Sequence, residues 1–361
     1  PILQGRRDRQ TEMNAIRKMS IKALSRDKDK DSGGNSSPEQ SPTNGLGKSK
    51  GASWSLRKLL DRRGSQDGSQ VKETDMIIEQ LPSPSPSEIR QIGKIRRWQR
   101  GNLVGRGSYG RVFLAMNKDT AELFVVKQVS FTPAGRGAED VVQLEQEIAL
   151  LANLEHPNIV QYLGTELNSS NGELSIFLEY MPGGSIADLV NRFGELDETV
   201  IRRYSREILE GLGYLHEKGI VHRDIKGQNI LVDNRGVCKL ADFGASRYLK
   251  NTESKARMSF KGTPVFMSPE VIMQQRYSRK SDVWSYGCTV IQMATGNPPY
   301  SQFSNHVAAL MHITQSEDLP DLPDKMSPEC RDFVGQCLDR DTKRRPYVQQ
   351  LVHHAFLIGP A

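Results

Sequence analysis

Large apolar residues are sparse over the first ninety positions and regularly spaced beyond them. Ser, Gly, Pro, Asn, Asp, Lys and Arg fill the early stretch, as in Asp31-Ser32-Gly33-Gly34-Asn35-Ser36-Ser37-Pro38. Such a segment buries too little apolar surface to offset the entropy of ordering its backbone, so residues 1–90 are expected to form a disordered tail. Two apolar islands interrupt it, Thr11 to Leu24 and Trp54 to Leu60. Each reads as a transient basic amphipathic helix for a partner or an acidic lipid surface, or as incidental hydrophobes in a linker.

Order is expected from Trp98. From there to about Ser175 the pattern is strand-rich, with one helical stretch, Asp140 to Leu154, whose apolar residues recur at helical spacing. Beyond Ile186 the helical period dominates, over Ile186–Phe193, Asp197–His216, Asp282–Thr295, Phe303–Ile313 and Pro328–Cys337. A β-rich segment leading into a helical one predicts an α+β domain over residues 98–356, with a small N-lobe to about residue 180 and a larger helical C-lobe from about 183.

Charge sharpens this division. The formal net charge is +6, yet residues 1–100 hold 21 Lys+Arg against 12 Asp+Glu, leaving 28 against 31 in the remainder. The basic character therefore belongs to the tail, and a nucleic-acid partner is not expected. Cys238, Cys288, Cys330 and Cys337 show no metal-ligand spacing and are expected to be buried, reduced thiols. No apolar run approaches the ~18–20 residues needed to span a bilayer, and no signal sequence opens the chain, so a cytoplasmic location is expected. The opening residue, Pro1 instead of Met, fits a piece of a longer protein.

The candidate chemistry sits between residues 104 and 244. Gly105-Arg106-Gly107-Ser108-Tyr109-Gly110-Arg111-Val112 lies between two strand-like runs with no helix after it. Glycines there let a hairpin lie over phosphates with backbone N–H groups facing them. Lys127, in the alternating strand Phe124-Val125-Val126-Lys127-Gln128, presents a cation inward, and the helix 140–154 offers Glu147 or Glu145 to anchor it. In Val221-His222-Arg223-Asp224-Ile225-Lys226-Gly227-Gln228-Asn229, followed by Asp242-Phe243-Gly244, Asp224 is placed to orient a hydroxyl and Lys226 to neutralise transferred charge. Asn229 and Asp242 supply hard oxygen ligands suited to Mg²⁺.

In this order and spacing the strings resemble a protein kinase. The runs Val221–Asp233 (VHRDIKGQNILVD), Phe177–Ser185 (FLEYMPGGS) and His156–Gly164 (HPNIVQYLG), with Lys127-Gln128-Val129 and Trp98, resemble the MAP kinase kinase kinases, nearest the MEKK and plant NPK/ANP type. The resemblance covers about residues 98–356. It implies ATP and Mg²⁺ as cofactors, with Asp224, Lys226 and Lys127 as catalytic residues. Val104, Gly105, Gly107, Gly110, Val112, Val125, Lys127, Glu147 and Leu231 would surround the nucleotide, Leu178 would be the gatekeeper, and Glu179 and Met181 would meet adenine through their backbones. Asn229 and Asp242 would hold the metal. Glu270 would pair with Arg345, and Asp282 would brace the catalytic loop.

Lys226 and Thr263 together resemble serine/threonine kinases. The implied substrate is the activation loop of a MAP kinase kinase, with an upstream kinase or scaffold as a further partner. A Ste20-like kinase and a catalytically dead scaffold are the alternatives, the latter opposed by the complete catalytic set. Ser185 and Gln228 are neutral where basophilic kinases place acids, which argues against Arg-directed specificity. Three departures stand out: Val125 for the usual Ala over adenine, Ser268 for the Ala of the APE string, and Lys261 where MEKK-type kinases often carry Thr. Ser259, eleven residues before Glu270, is then the expected activation-loop phosphosite with Arg223 as its ligand, ahead of Thr252 and Ser254. Ser37, Ser41, Ser83 and Ser85 each precede Pro and suit a proline-directed kinase.

Overall fold

The computed structural model describes residues 95–107, 110–130, 147–168, 173–248, 264–273, 275, 277–303, 305–316, 318–320 and 322–359. The predicted tail, Ser108, Tyr109, Glu145, and Thr252, Ser254, Ser259, Lys261 and Thr263 lie outside them.

Alternation builds the first lobe. Strands β1 (Trp98–Gly107), β2 (Gly110–Asn117), β3 (Leu123–Ser130), β4 (Tyr162–Asn168) and β5 (Glu173–Glu179) form an antiparallel sheet in the order β1-β2-β3-β5-β4. Successive side chains of a strand point to opposite faces. Phe124 and Val126 accordingly pack outward with Ala115, Phe177 and Trp98, whose rings meet edge to face at 5.4–6.4 Å. Val129, Leu174 and Ile176 join the core that holds Ile148 and Leu151 of helix α1, described over residues 147–151.

The second lobe is helical: α2 (Ile186–Phe193), α3 (Glu198–Glu217), α4 (Pro269–Ile272), α5 (Arg279–Thr295), α6 (His306–Gln315), α7 (Pro328–Cys337), α8 (Val348–Leu351) and α9 (Ala355–Ile358). Short strands β6 (Gly184–Ser185), β8 (Ile230–Val232) and β9 (Cys238–Leu240) form one small sheet, and β7 (Ile220–Val221) pairs with β10 (Arg247–Tyr248). Helix α5 is buried on every side from Ser281 to Ala294, which is why its sequence shows little amphipathic stripe. It starts three residues before the predicted Asp282 because Ser278 caps it, its side chain accepting from the Ser281 N–H. Helix α6 starts at His306 and not at Phe303, because the Asn305 side chain takes the Val307 N–H and Phe303 belongs to the preceding turn. Helices α2 and α7 have the predicted bounds.

All four cysteines are free and buried, and burial raises their thiol pKa values, that of Cys330 to about 12. Among the described residues no helix is long and apolar enough to cross a membrane.

Candidate active site

The loop from β7 to β8 is held by one buried carboxylate. Asp282, in the first turn of α5, accepts from the His222 N–H at 2.9 Å and the Arg223 N–H at 2.8 Å, and lies 2.9 Å from His216 Nε2. This is the bracing expected of it. Arg223 adopts φ 72° and Asp242 φ 57°, left-handed values that side chains take up at a cost, so the surrounding bonds must over-determine both turns. His222 contributes: Nε2 lies 3.2 Å from the Ala241 carbonyl and Nδ1 3.4 Å from the Asp224 N–H. Burial lowers its pKa, so a neutral ring with its proton on Nε2 satisfies both contacts and ties the loop to the residue before Asp242.

Around Asp224 the polar groups converge. Lys226 Nζ lies 2.9 Å from both carboxylate oxygens, and Asn229 Nδ2 donates to Asp224 Oδ2 at 2.7 Å and to its carbonyl at 2.8 Å. Spending its amide nitrogen on Asp224 leaves Asn229 its oxygen for a cation. A carboxamide oxygen and the Asp242 carboxylate make a hard donor set that fits Mg²⁺, an ion that keeps several other ligands.

From the other lobe comes Lys127, 6% exposed. Its Nζ lies 2.8 Å from Glu147 Oε1 and 3.5 Å from Asp242 Oδ1. Burial pulls the lysine pKa down, but the facing carboxylates of Glu147 and Asp242 more than restore it, and the net shift is upward. The second oxygen of Glu147 is buried, with no hydrogen-bond partner among the described residues. Glu147, one of the two acids considered for this anchor, is found against Lys127; Glu145, the other, lies outside the described residues.

The roof and back of the cleft come from the sheet. Val112 opposes Lys127, and Val125 opposes Leu178, so these four share the face turned away from Trp98. Gly110 and Gly107 pair across β1 and β2. A Cβ on Gly110 would fall 2.2 Å from the Gln128 carbonyl, a clash that restricts the position to glycine, whereas Gly105 has open space around its Cβ position. Val104 is half exposed beside it, and Leu231 is partly buried on β8 below.

At the hinge the Glu179 N–H donates to the Gln161 carbonyl at 3.0 Å, and its carboxylate takes the Gln161 N–H at 3.2 Å and Lys239 Nζ at 2.6 and 2.9 Å. The Met181 carbonyl accepts from the Gly184 N–H. Among the described residues no acceptor takes the Met181 N–H, so the hinge backbone retains a donor suited to a heterocycle. Asn158 holds β9, the strand that carries Lys239: its Nδ2 donates to the Cys238 carbonyl and its own carbonyl accepts from the Leu240 N–H. Sequence reasoning missed Lys239 and Asn158 as supports, because each acts on a residue tens of positions away; the His156–Gly164 run drew notice to Asn158 as part of a resemblance without pointing to its partner.

Farther out, Arg345 is fully buried and meets both Glu270 oxygens, at 2.7 and 3.1 Å, the pairing expected for them. Two C-lobe cavities, about 390 Å³ beside Glu270 and Arg340 and about 550 Å³ beside Lys280 and Tyr347, lie away from the converging groups. The cleft between Lys127 and Asp224 is the candidate site on the chemistry of its side chains.

Comparison with known proteins agrees with this geometry. The family model for the protein kinase domain matches residues 98–357. The chain is 45% identical over 284 residues to mitogen-activated protein kinase kinase kinase 3 of Arabidopsis thaliana, covering 77% of this chain and 43% of that protein. It is 44% identical over 281 residues to mitogen-activated protein kinase kinase kinase ANP1 of the same plant, covering 76% and 42%. To human mitogen-activated protein kinase kinase kinase 3 it is 42% identical over 300 residues, covering 82% and 47%. The chain thus spans less than half the length of these relatives.

Proposed function

The chain belongs to the protein kinase family, and from that premise we propose that it is an ATP- and Mg²⁺-dependent serine/threonine kinase of the MAP kinase kinase kinase type. The observation that carries this reading is Lys127 lying between Glu147 and Asp242 across the cleft from Asp224, Lys226 and Asn229. In this reading residues 98–356 are the catalytic domain and residues 1–90 a regulatory tail.

Lys127, kept charged by its two carboxylates, holds the α/β-phosphates of the nucleotide. Gly105, Gly107 and Gly110 cover those phosphates through their backbone N–H groups, while Val104, Val112, Val125, Leu178 and Leu231 enclose the base, which the Glu179 carbonyl and the Met181 N–H orient. Asn229 and Asp242 hold Mg²⁺, whose chemistry when bound is to neutralise phosphate charge as it develops. Asp224 takes up the proton of the substrate hydroxyl, and Lys226 stays beside the transferred group. Little covalent chemistry is asked of the protein; positioning and fixed charge supply the rate. Phosphate on Ser259, held by Arg223, would order the substrate loop.

The relatives' names point to a MAP kinase kinase as substrate. Offering the purified kinase equal amounts of a catalytically inactive MAP kinase kinase and a catalytically inactive MAP kinase kinase kinase separates this from the Ste20-like alternative. Phosphorylation of the first at least tenfold faster is expected; preference for the second would overturn the class.

A further inference from the structure

Above the glycine-rich hairpin, on the face of the sheet turned away from the cleft, stands a row of arginines. Arg106 and Arg111 are directly opposed across β1 and β2, and Arg111 is opposed by Gln128 on β3. Residues directly opposed in an antiparallel pair share a face. Val112 and Lys127, one position on, therefore occupy the opposite, cleft-side face. Arg100 joins the row from β1: its Nη1 donates to Gln128 Oε1 at 3.0 Å, and its guanidinium lies 4.9 Å from the centre of the Phe113 ring, which also has that of Arg111 at 5.6 Å. All three arginines are exposed. Like charges directly opposed across a strand pair destabilise it, and among the described residues neither Arg106 nor Arg111 has a carboxylate at ion-pair distance.

A ligand that would relieve this pair carries concentrated negative charge and several acceptor oxygens. A phosphate monoester, with roughly −1.5 to −2 charge and three strong acceptors, matches that need, and arginine is the side chain best suited to bind it. Residues 80–89 (QLPSPSPSEI) hold Ser83 and Ser85, each before proline, together with Glu88 and no Lys or Arg. Ser85 precedes Trp98, where β1 begins, by 13 residues. Residues 95–97 already belong to the described structure, with Ile95 packed beside Trp98, so the ten residues from Ser85 to Ile95 make the return. They extend to about 35 Å, against about 26 Å along β1 from Trp98 to Arg106, which gives the segment the reach to fold back over the hairpin.

We infer that the row formed by Arg100, Arg106 and Arg111 is the docking surface for residues 80–89 once Ser83 and Ser85 are phosphorylated. A proline-directed kinase supplies the modification: the γ-phosphoryl of ATP moves to each serine Oγ, ADP leaves, and the hydroxyl proton goes to solvent. Bridging Arg106 and Arg111 removes the repulsion across the hairpin, stiffens the nucleotide-covering loop and lowers KM for ATP. Only that last consequence rests on the proposed kinase function.

The test is a titration without nucleotide. A fluorescein-labelled peptide of residues 80–89 phosphorylated on both serines is titrated with the full unphosphorylated chain and followed by anisotropy. The doubly phosphorylated peptide is expected to bind at least tenfold more tightly than the unphosphorylated peptide, and the Arg106→Gln/Arg111→Gln chain to bind it at least tenfold more weakly. A shuffled phosphopeptide of the same composition is expected to bind more weakly, as is the Arg100→Gln chain, which leaves the hairpin pair intact. The full chain phosphorylated at Ser83 and Ser85 is expected to exclude the labelled peptide. Equal binding by both chains or of both peptides overturns the site; equal binding of the shuffled peptide, or failure of the phosphorylated chain to exclude the probe, overturns its assignment to this segment. Because no turnover is measured, failure here leaves the kinase reading standing, and failure of catalysis leaves this one.

Discussion

Lys127 is almost entirely out of water, yet the carboxylates of Glu147 and Asp242 keep it charged. Removing one member of such a set leaves the others uncompensated, which is costlier than never having the set at all. Lys127→Met is expected to reduce phosphoryl transfer below ~1% and to lower Tm by a few degrees, because the buried Glu147 loses the cation it faces. Asp242→Ala, partly exposed, should lose activity as completely with Tm near wild type. Steady-state assay beside thermal melting checks both; more than a tenth of activity in either variant contradicts the roles. At Glu270 burial alone would raise the pKa, but the hydrogen bonds and charge of Arg345 hold it below the ordinary 4.5. Its stabilisation is then fully present above pH 4.5 and lost as pH falls through the folded value. Tm measured from pH 7 down to pH 3.5 should show the gap between wild type and Glu270→Gln closing below pH 4.5; a gap that widens there contradicts the assignment.

At the scale of elements, the catalytic loop is set by helix α5 more than by its own sequence. Asp282 receives two loop N–H groups and the His216 ring from within the first turn of that helix. Asp282→Asn replaces an acceptor by an amide with an N–H₂ facing those donors. A stability loss of about 2–3 kcal/mol is expected, with kcat reduced at least tenfold and KM for ATP little changed. Denaturant unfolding and initial-rate kinetics measure these; an unchanged kcat would show that the loop holds itself. This is also where the limits of reading the sequence lie. The strand period of β3, the capped helix α2 and the strings around Asp224 and Asp242 are local patterns, legible from a few neighbouring residues. The short helices α8 and α9, the hinge pair Glu179–Lys239 and the support from Asn158 are set by tertiary contact, and their residues carry no periodicity of their own. The start of α5 is legible in principle, since Ser278 and Ser281 make its capping box, but the string around Asp282 is the stronger local pattern and points to a later start.

For the whole molecule, the basic charge belongs to residues 1–100 and the proposed catalytic groups to the rest. Deleting residues 1–90 from the unphosphorylated chain is expected to leave Tm within about 2 °C and the intrinsic rate within twofold. A larger loss of either would show that the tail packs on the lobes.

The central claim is that Asp224 serves phosphoryl transfer to a protein hydroxyl. Its most direct measurement incubates the purified chain and its Asp224→Asn variant with radiolabelled ATP, Mg²⁺ and a catalytically inactive MAP kinase kinase, then maps the labelled residues. The wild-type chain is predicted to label Ser or Thr in the substrate's activation loop, and the variant, melting within a few degrees of it, to transfer below ~1% as much. Absence of label with wild type, or more than a tenth of it remaining with Asp224→Asn, would contradict the account.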